Sequence, residues 1–183
     1  AYDSFKLLAQ KVAFSNLPQL LEPVRSVLAA TTSMKTLQKV EEVLKRIAQG
    51  LLINESVTHS SVLTFCHKTI FQQQELSEHK NELAVAKKRA YSQASGVVDD
   101  ANRDVAEDSE LERQNAHYLT EFALGLLHVQ IKRDGERGFK LRDPDTVLLI
   151  EPFVPQLLAY LKTRENKVLE LSLKVIGLLV PVQ

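Results

Sequence analysis

Apolar residues recur along this chain at intervals of three and four, which is the period of an amphipathic α-helix. The stretch 34–52 shows it most clearly, with Leu37, Val40, Val43, Leu44, Ile47 and Leu51 on one face. The 183 residues include only six glycines and six prolines, and strong helix formers dominate. The pattern therefore predicts an all-α protein.

Seven helices are predicted, at 3–14, 17–30, 34–52, 58–74, 113–133, 145–162 and 166–180. Pro18 suits the first turn of the second helix, where its missing N–H costs nothing. Ser33 can cap the third helix. Pro152 and Pro155 are expected to bend the sixth helix, because proline removes a backbone donor inside it.

The stretch 75–112 differs in composition from the rest of the chain. It begins with the basic residues Lys87, Lys88 and Arg89, ends in an acidic run, and has few large apolar residues. It cannot bury enough surface to offset the entropy of ordering it. We therefore predict a charged, partly disordered insertion between helical segments 1–74 and 113–183, although its basic half could still form a solvated helix.

Without the insertion, the remaining helices form antiparallel pairs. The predicted pairs are 17–30 with 34–52, 58–74 with 113–133, and 145–162 with 166–180. Pairs that recur after roughly 40–50 residues are typical of HEAT or armadillo α-solenoids. A helical bundle is the alternative architecture.

The last helix is apolar on two sides. One side carries Val168, Leu171, Val175, Leu178 and Leu179, and the other carries Leu169, Leu173, Ile176 and Val180. We expect the first side to pack on helix 145–162 and the second to lack a partner, as at an uncapped end of a solenoid. The chain also starts at Ala1 without an initiator Met or a signal-peptide pattern, so a piece of a longer protein is expected.

Composition and charge narrow the possible environments. The chain is 44 % hydrophobic and 25 % charged, as in ordinary globular proteins, and its 23 basic and 23 acidic residues cancel. Any contact with nucleic acid must therefore come from a local patch. No transmembrane helix is expected, since no run of about 18 apolar residues occurs. The single cysteine, Cys66, rules out an intrachain disulfide and favours a reducing compartment.

The chain offers no catalytic constellation. Cys66 and His67 are adjacent on a helix, so their side chains point about 100° apart and cannot act as nucleophile and base. The five histidines never fall at the i, i+4 spacing of a helical metal pair. No glycine-rich phosphate loop or hydrolase motif is present. We expect no catalytic, metal or cofactor-binding residues, no cofactor and no small-molecule substrate.

Two basic stretches are candidate contacts for a phosphate backbone or a protein partner. The first is Lys132, Arg133, Arg137, Lys140 and Arg142, at a helix end and in the loop that follows. Cations at a helix C-terminus are also favoured by the helix dipole, which is the alternative explanation for Lys132 and Arg133. The second is Lys87, Lys88 and Arg89, beside Tyr91, where a solvated helix face is the alternative.

Three stretches resemble a known family. They are VLKRIAQGLLINESVTHSSVLTFCHKTI (43–70), NAHYLTEFALGLLHVQIKR (115–133) and LLIEPFVPQLLAYLKTRENKVLELSLKVIGLL (148–179). All three are similar to the large HEAT-repeat scaffold family of the small-subunit processome, a nucleolar family also called down-regulated in metastasis. The resemblance covers about half the chain and consists of packing residues, including Glu151, Pro152, Phe153 and Val154.

The resemblance implies a non-enzymatic scaffold for ribosome biogenesis and pre-rRNA (18S) processing in the nucleolus. Processome proteins, pre-rRNA or snoRNA, and adjacent HEAT repeats of a longer chain would be its partners, and no catalytic residues are carried over. The alternative is a generic HEAT-repeat adaptor or transport module that binds protein partners without RNA. An enzyme is a distant third.

Overall fold

The structure, a computed structural model, describes residues 2–91, 114–135 and 139–180, with side chains up to residue 76 in the first range. A short 3-10 turn, Phe14–Asn16, lies between the first two helices. The α-helices are α1 (Tyr2–Lys11), α2 (Leu17–Ala30), α3 (Met34–Ile53), α4 (His59–Tyr91), α5 (Ala116–Lys132), α6 (Pro144–Ile150), α7 (Phe153–Tyr160) and α8 (Asn166–Leu179).

The all-α prediction is confirmed, since the described ranges contain helices and connecting turns but no strand. Every predicted helix is present, and the larger differences are in the first, fourth and sixth. The first ends at Lys11 rather than residue 14. The predicted helix 145–162 is divided into α6 and α7 at Glu151 and Pro152, which confirms the proline bend.

The fourth predicted helix was placed too short. It does not end at residue 74 but continues as α4 to Tyr91, through the positions of Lys87, Lys88 and Arg89. Residues 75–91 are rich in Glu, Leu, Ala, Lys and Arg, which have high helix propensity. Because the buried first part of α4 has already nucleated the helix, these residues extend it. The basic half of the predicted insertion is thus helical, and the rest, 92–112, lies outside the described residues.

The helices pack in two layers. Helices α3, α5 and α8 lie side by side in one layer. In the other, α1 packs on α3, α4 packs on α5, and α7 packs on α8, while α4 also touches α6 and α7. This arrangement is consistent with an α-solenoid.

Two of the three predicted helix pairs are confirmed: α4 with α5, and α7 with α8. The predicted pairing of 17–30 with 34–52 is wrong as the main contact, because α3 packs chiefly on α1 and only slightly on α2. The close approach of α1 to α3 depends on Gly50, where an added Cβ would lie 2.3 Å from the carbonyl oxygen of Lys6 and 2.7 Å from Cβ of Ala9. Only a residue without a side chain permits this crossing.

Two buried asparagines fasten the ends of α1 and α2. Asn54 donates from Nδ2 to the carbonyl oxygens of Ala9 (2.8 Å) and Val12 (2.9 Å). Asn115 donates in the same way to Leu28 (2.8 Å) and Thr31 (2.9 Å). The last carbonyls of a helix have no partner within it, so each amide satisfies two of them from a distant part of the chain.

Gly50→Ala is expected to lower the free energy of unfolding by about 1–3 kcal/mol, because the new methyl group overpacks the α1–α3 crossing against backbone. Gly125→Ala is the matched control. It places the same group in another helix where nothing lies within 4 Å, so helix propensity should raise stability by up to about 1 kcal/mol. Urea denaturation of both variants measures the difference, and equal effects would contradict the close crossing.

Candidate nucleic-acid interface

The basic loop, defined here as the described residues 132–135 and 139–142, follows α5 and closes on itself. Gly135 has φ of 85°, in the left-handed region that glycine adopts without strain. Its N–H donates to the carbonyl oxygen of Phe139 at 2.7 Å. Leu141 N–H donates to Oδ1 of Asp134, also at 2.7 Å. These two bonds hold the ends of the loop together.

Side chains alternate between the core and the solvent after the turn. Phe139 and Leu141 are 3 % and 6 % exposed, whereas Lys140 and Arg142 are exposed. Lys132, on the last turn of α5, is also exposed. The alternation therefore presents two cations to solvent, in addition to Lys132, while two apolar side chains anchor the loop.

The predicted candidates have different surroundings in the structure. Arg133 is half-buried, and its Nη1 donates to the carbonyl oxygen of Leu52 near the end of α3 at 2.9 Å. Arg133 therefore ties α5 to α3, so contact with a partner is not needed to explain it. Arg137 lies outside the described residues. Lys87, Lys88 and Arg89 lie on the last part of α4, far along the chain from the basic loop.

His59, the first residue of α4, was not singled out by its sequence pattern although it contacts the loop. Its ring stacks on Phe139 with the ring centroids 4.8 Å apart and the planes at 27°. The side-chain amide of Gln130 donates a hydrogen bond to Nδ1 of His59. No local pattern could show these contacts, since the partners are far apart in sequence. A cavity of ≈ 30 Å³ beside them has room for about two waters.

A second polar cluster joins three helices of one layer. The ammonium of Lys167 on α8 lies 2.6 Å from Oε1 of Glu41 on α3 and 3.9 Å from Oε2 of Glu121 on α5. Burial raises the pKa of Glu121 to about 7, an effect that Lys167 opposes and that Glu41 and Glu165 reinforce. The hydrogen bond to Glu41 raises the pKa of Lys167. One ammonium is thus shared by carboxylates from two other helices.

The surface beside the basic loop is cationic. The pKa of His128 is lowered, first by partial burial and then by the charges of Lys132 and Lys174. Lys174 belongs to α8 and forms an ion pair with Glu170 at 2.5 Å. Lys132 and Lys174 thus both act on His128, while Glu170 partly neutralises the charge of Lys174.

Cys66 is fully buried among core residues, as the sequence indicated. Burial raises the pKa of its thiol well above the usual range, so the reactive thiolate is suppressed. Within the described ranges, no three His, Cys, Asp or Glu side chains are arranged to hold a metal ion. In the same part of the chain, no helix combines the length and apolar character needed to cross a membrane.

Comparisons with known proteins identify relatives of this chain. Residues 1–70 match the family model of the U3 small nucleolar RNA-associated protein 20 domain. The chain is 28 % identical to U3 small nucleolar RNA-associated protein 20 of Saccharomyces cerevisiae over 180 residues, which is 96 % of the chain and 7 % of that protein. Its Schizosaccharomyces pombe counterpart is 37 % identical over 67 residues, covering 37 % of the chain and 3 % of that protein.

These relatives confirm the resemblance to the processome scaffold family that was recognised in the sequence. The similarity to the S. cerevisiae protein covers 96 % of the chain, whereas the resemblance found in the sequence covers about half of it. The chain spans less than a tenth of the length of either curated relative. The comparisons therefore relate this chain to one small part of a much longer protein.

Replacing Glu121 with Gln should change how stability depends on pH. Because the pKa of Glu121 is raised in the folded state, its contribution to stability is present below its unfolded value and is lost as the pH rises through about 7. At pH 5 the variant should match the parent. At pH 8.5 it should be more stable, by an amount on the order of 1 kcal/mol after solvent screening.

Urea denaturation at the two pH values measures this effect. Glu170→Gln is the control, because Lys174 lowers the pKa of this exposed carboxylate, so its removal should give no gain at pH 8.5. A Glu121→Gln variant with the same relative stability at both pH values would contradict the raised pKa.

Proposed function

We propose that this chain, which resembles part of U3 small nucleolar RNA-associated protein 20, is a non-enzymatic scaffold segment of a small-subunit ribosome-assembly factor. The similarity to the S. cerevisiae relative over 96 % of the chain carries the proposal. Both relatives are named for their association with U3 small nucleolar RNA. We extend that association to this chain: processome proteins and pre-rRNA or snoRNA as partners, pre-rRNA processing as the role, and the nucleolus as the location.

The helical architecture supports a scaffold of HEAT type. Helix α4 packs on α5 and α7 packs on α8, and α5 and α8 are themselves in contact. Such stacking extends a protein in one direction and leaves long surfaces for partners. The thiol of Cys66 is buried, which supports a structural role for this residue rather than a role as a nucleophile.

Apolar side chains on α7 and α8 support stacking of a further helix pair. Leu158 on α7 is 51 % exposed, and Leu173 and Val180 at α8 are 52 % and 63 % exposed. The opposite side of α8 is the packed one, since Val168 and Val175 are fully covered. Leu171, Leu178 and Leu179 of the predicted packed side are half-buried, and so are Leu169 and Ile176 of the predicted open side. Helix α8 packs more on α5 than on α7, the partner that the sequence predicted. The curated relatives are far longer than this chain, so we propose that adjacent repeats cover these side chains.

Leu158→Glu combined with Leu173→Glu should reduce self-association of the isolated chain with little loss of fold, because both side chains are half exposed. Sedimentation velocity and circular dichroism measure the two effects. Val175→Glu is the contrasting control. It places a charge on the fully buried side of the same helix and should unfold the protein. Unfolding by the Leu158 and Leu173 pair would show that this side is already covered within the chain.

The basic loop is the surface that we propose for contact with RNA. Lys132, Lys140 and Arg142 are exposed within one closed loop. Lysine and arginine neutralise backbone phosphates and release counterions, which makes such binding depend on salt. Phosphate contacts carry no sequence information, so this loop would position RNA rather than select it.

Lys132→Gln combined with Lys140→Gln should weaken binding of a structured RNA and reduce the slope of log K against log salt by about 1 to 2. Fluorescence anisotropy between 50 and 200 mM salt provides the measurement. Lys39→Gln with Lys68→Gln is the control, since it removes the same charge from exposed sites elsewhere. An equal loss in both variants would leave only a nonspecific charge effect. Absence of RNA binding by the parent chain would favour the adaptor that binds proteins alone.

A further inference from the structure

We infer that His59 is the positioning residue of the basic loop, and that its contacts with Phe139 and Gln130 fix the loop against the start of α4. The identity of the loop's ligand rests on the proposed function, RNA binding. The role of His59 in fixing the loop does not depend on it. His59 would touch no phosphate itself. It would act by holding Lys140 and Arg142 in one arrangement.

The bonds within the loop cannot fix its position on the body of the protein. The Gly135–Phe139 and Asp134–Leu141 hydrogen bonds join parts of the same short segment. They close the loop but leave its orientation free. The orientation therefore depends on contacts between the loop and the helices around it, including α5 itself.

The N–H groups of Arg133 and Asp134 donate to the carbonyl oxygens of Gln130 and Ile131 on α5. Side chains of the loop make further contacts with the rest of the protein. Arg133 reaches the end of α3 through the carbonyl oxygen of Leu52. Leu141 is buried in the core cluster. Phe139 is buried against the His59 ring, and it lies directly between the turn at Gly135 and the exposed Lys140. The His59–Phe139 stack is thus next to Lys140 along the chain, and Leu141 lies between Lys140 and Arg142.

His59 is itself held on two sides. Its ring receives the hydrogen bond from Gln130, which lies two residues before Lys132 on α5 and is 3 % exposed. The same ring thus contacts Gln130 on α5, before the loop, and Phe139, after the turn of the loop. One imidazole thus contacts the chain on both sides of the turn. Its loss should loosen the loop without removing any of the loop's charged side chains.

The chain contains a matched site for comparison. His67 lies eight residues further along α4, where Gln156 on α7 donates to its Nε2 at 3.3 Å and Phe153 packs edge-on at 5.4 Å. Both sites combine histidine, glutamine and phenylalanine, but the second one joins α4 to α7 and has no contact with the basic loop. Substitution at His67 therefore reproduces the loss of packing without the proposed effect on the loop.

The test compares His59→Ala with His67→Ala by amide hydrogen exchange. Exchange at the Gly135 and Leu141 amides should become at least tenfold faster in His59→Ala and stay near the parent rate in His67→Ala. Phe139→Leu keeps an apolar anchor but removes the stacked ring, so it provides a second variant if His59→Ala does not fold. Unchanged exchange in His59→Ala, or equal acceleration in His67→Ala, would overturn the inference. So would unchanged exchange in Phe139→Leu if only that variant folds.

Binding of the same structured RNA then separates this inference from the proposed function. His59→Ala should weaken binding up to about tenfold at unchanged net charge, because the loop must be ordered again on binding. Faster amide exchange with unchanged RNA affinity would support the positioning role of His59 and would show that the loop does not contact the RNA. Loss of binding in the Lys132 and Lys140 variant, with unchanged exchange in His59→Ala, would keep the RNA contact and remove the positioning role.

Discussion

Helix α5 is buried on nearly every side because α3, α4 and α8 all pack against it. Its buried residues are Ala116, Leu119, Thr120, Phe122, Ala123, Leu124, Leu126, Leu127, Gln130 and Ile131. A helix that is apolar all round is stable only when other elements cover it. Helix α5 therefore connects α3, α4 and α8 through one shared core.

The polar groups around α5 determine how its neighbours are arranged. Asn115 before its first turn caps α2, Glu121 faces the ammonium that joins α3 to α8, and Arg133 after its last turn reaches α3. Buried polar groups are costly unless they are paired, so these contacts tolerate few alternative arrangements. Apolar burial supplies most of the stability, while the polar contacts specify which helix ends meet.

The same arrangement relates the fold to the proposed scaffold role. The helices share one continuous core, which holds them in fixed relative positions, as the proposed scaffold role requires. Partners would then meet surfaces rather than a catalytic centre. The basic loop lies at the end of the most buried helix, so a contact made there would be held by the central core of the protein. The raised pKa of Glu121 makes the junction of α3, α5 and α8 sensitive to pH in the neutral range.

The sequence by itself determined the helices, the packed side of α8 and the family resemblance. The spacing of apolar residues and the residues that begin and end helices are local properties of the sequence. They were sufficient to place Val168 and Val175 in the core. Only the tertiary structure decided that α3 pairs with α1 through Gly50, that Arg133 binds the end of α3, and that His59 stacks on Phe139. Each of these contacts joins residues tens of positions apart, and no periodicity along the chain records which distant partner a side chain meets. The pKa of Glu121 follows the same rule, because the burial and charges that shift it come from other helices.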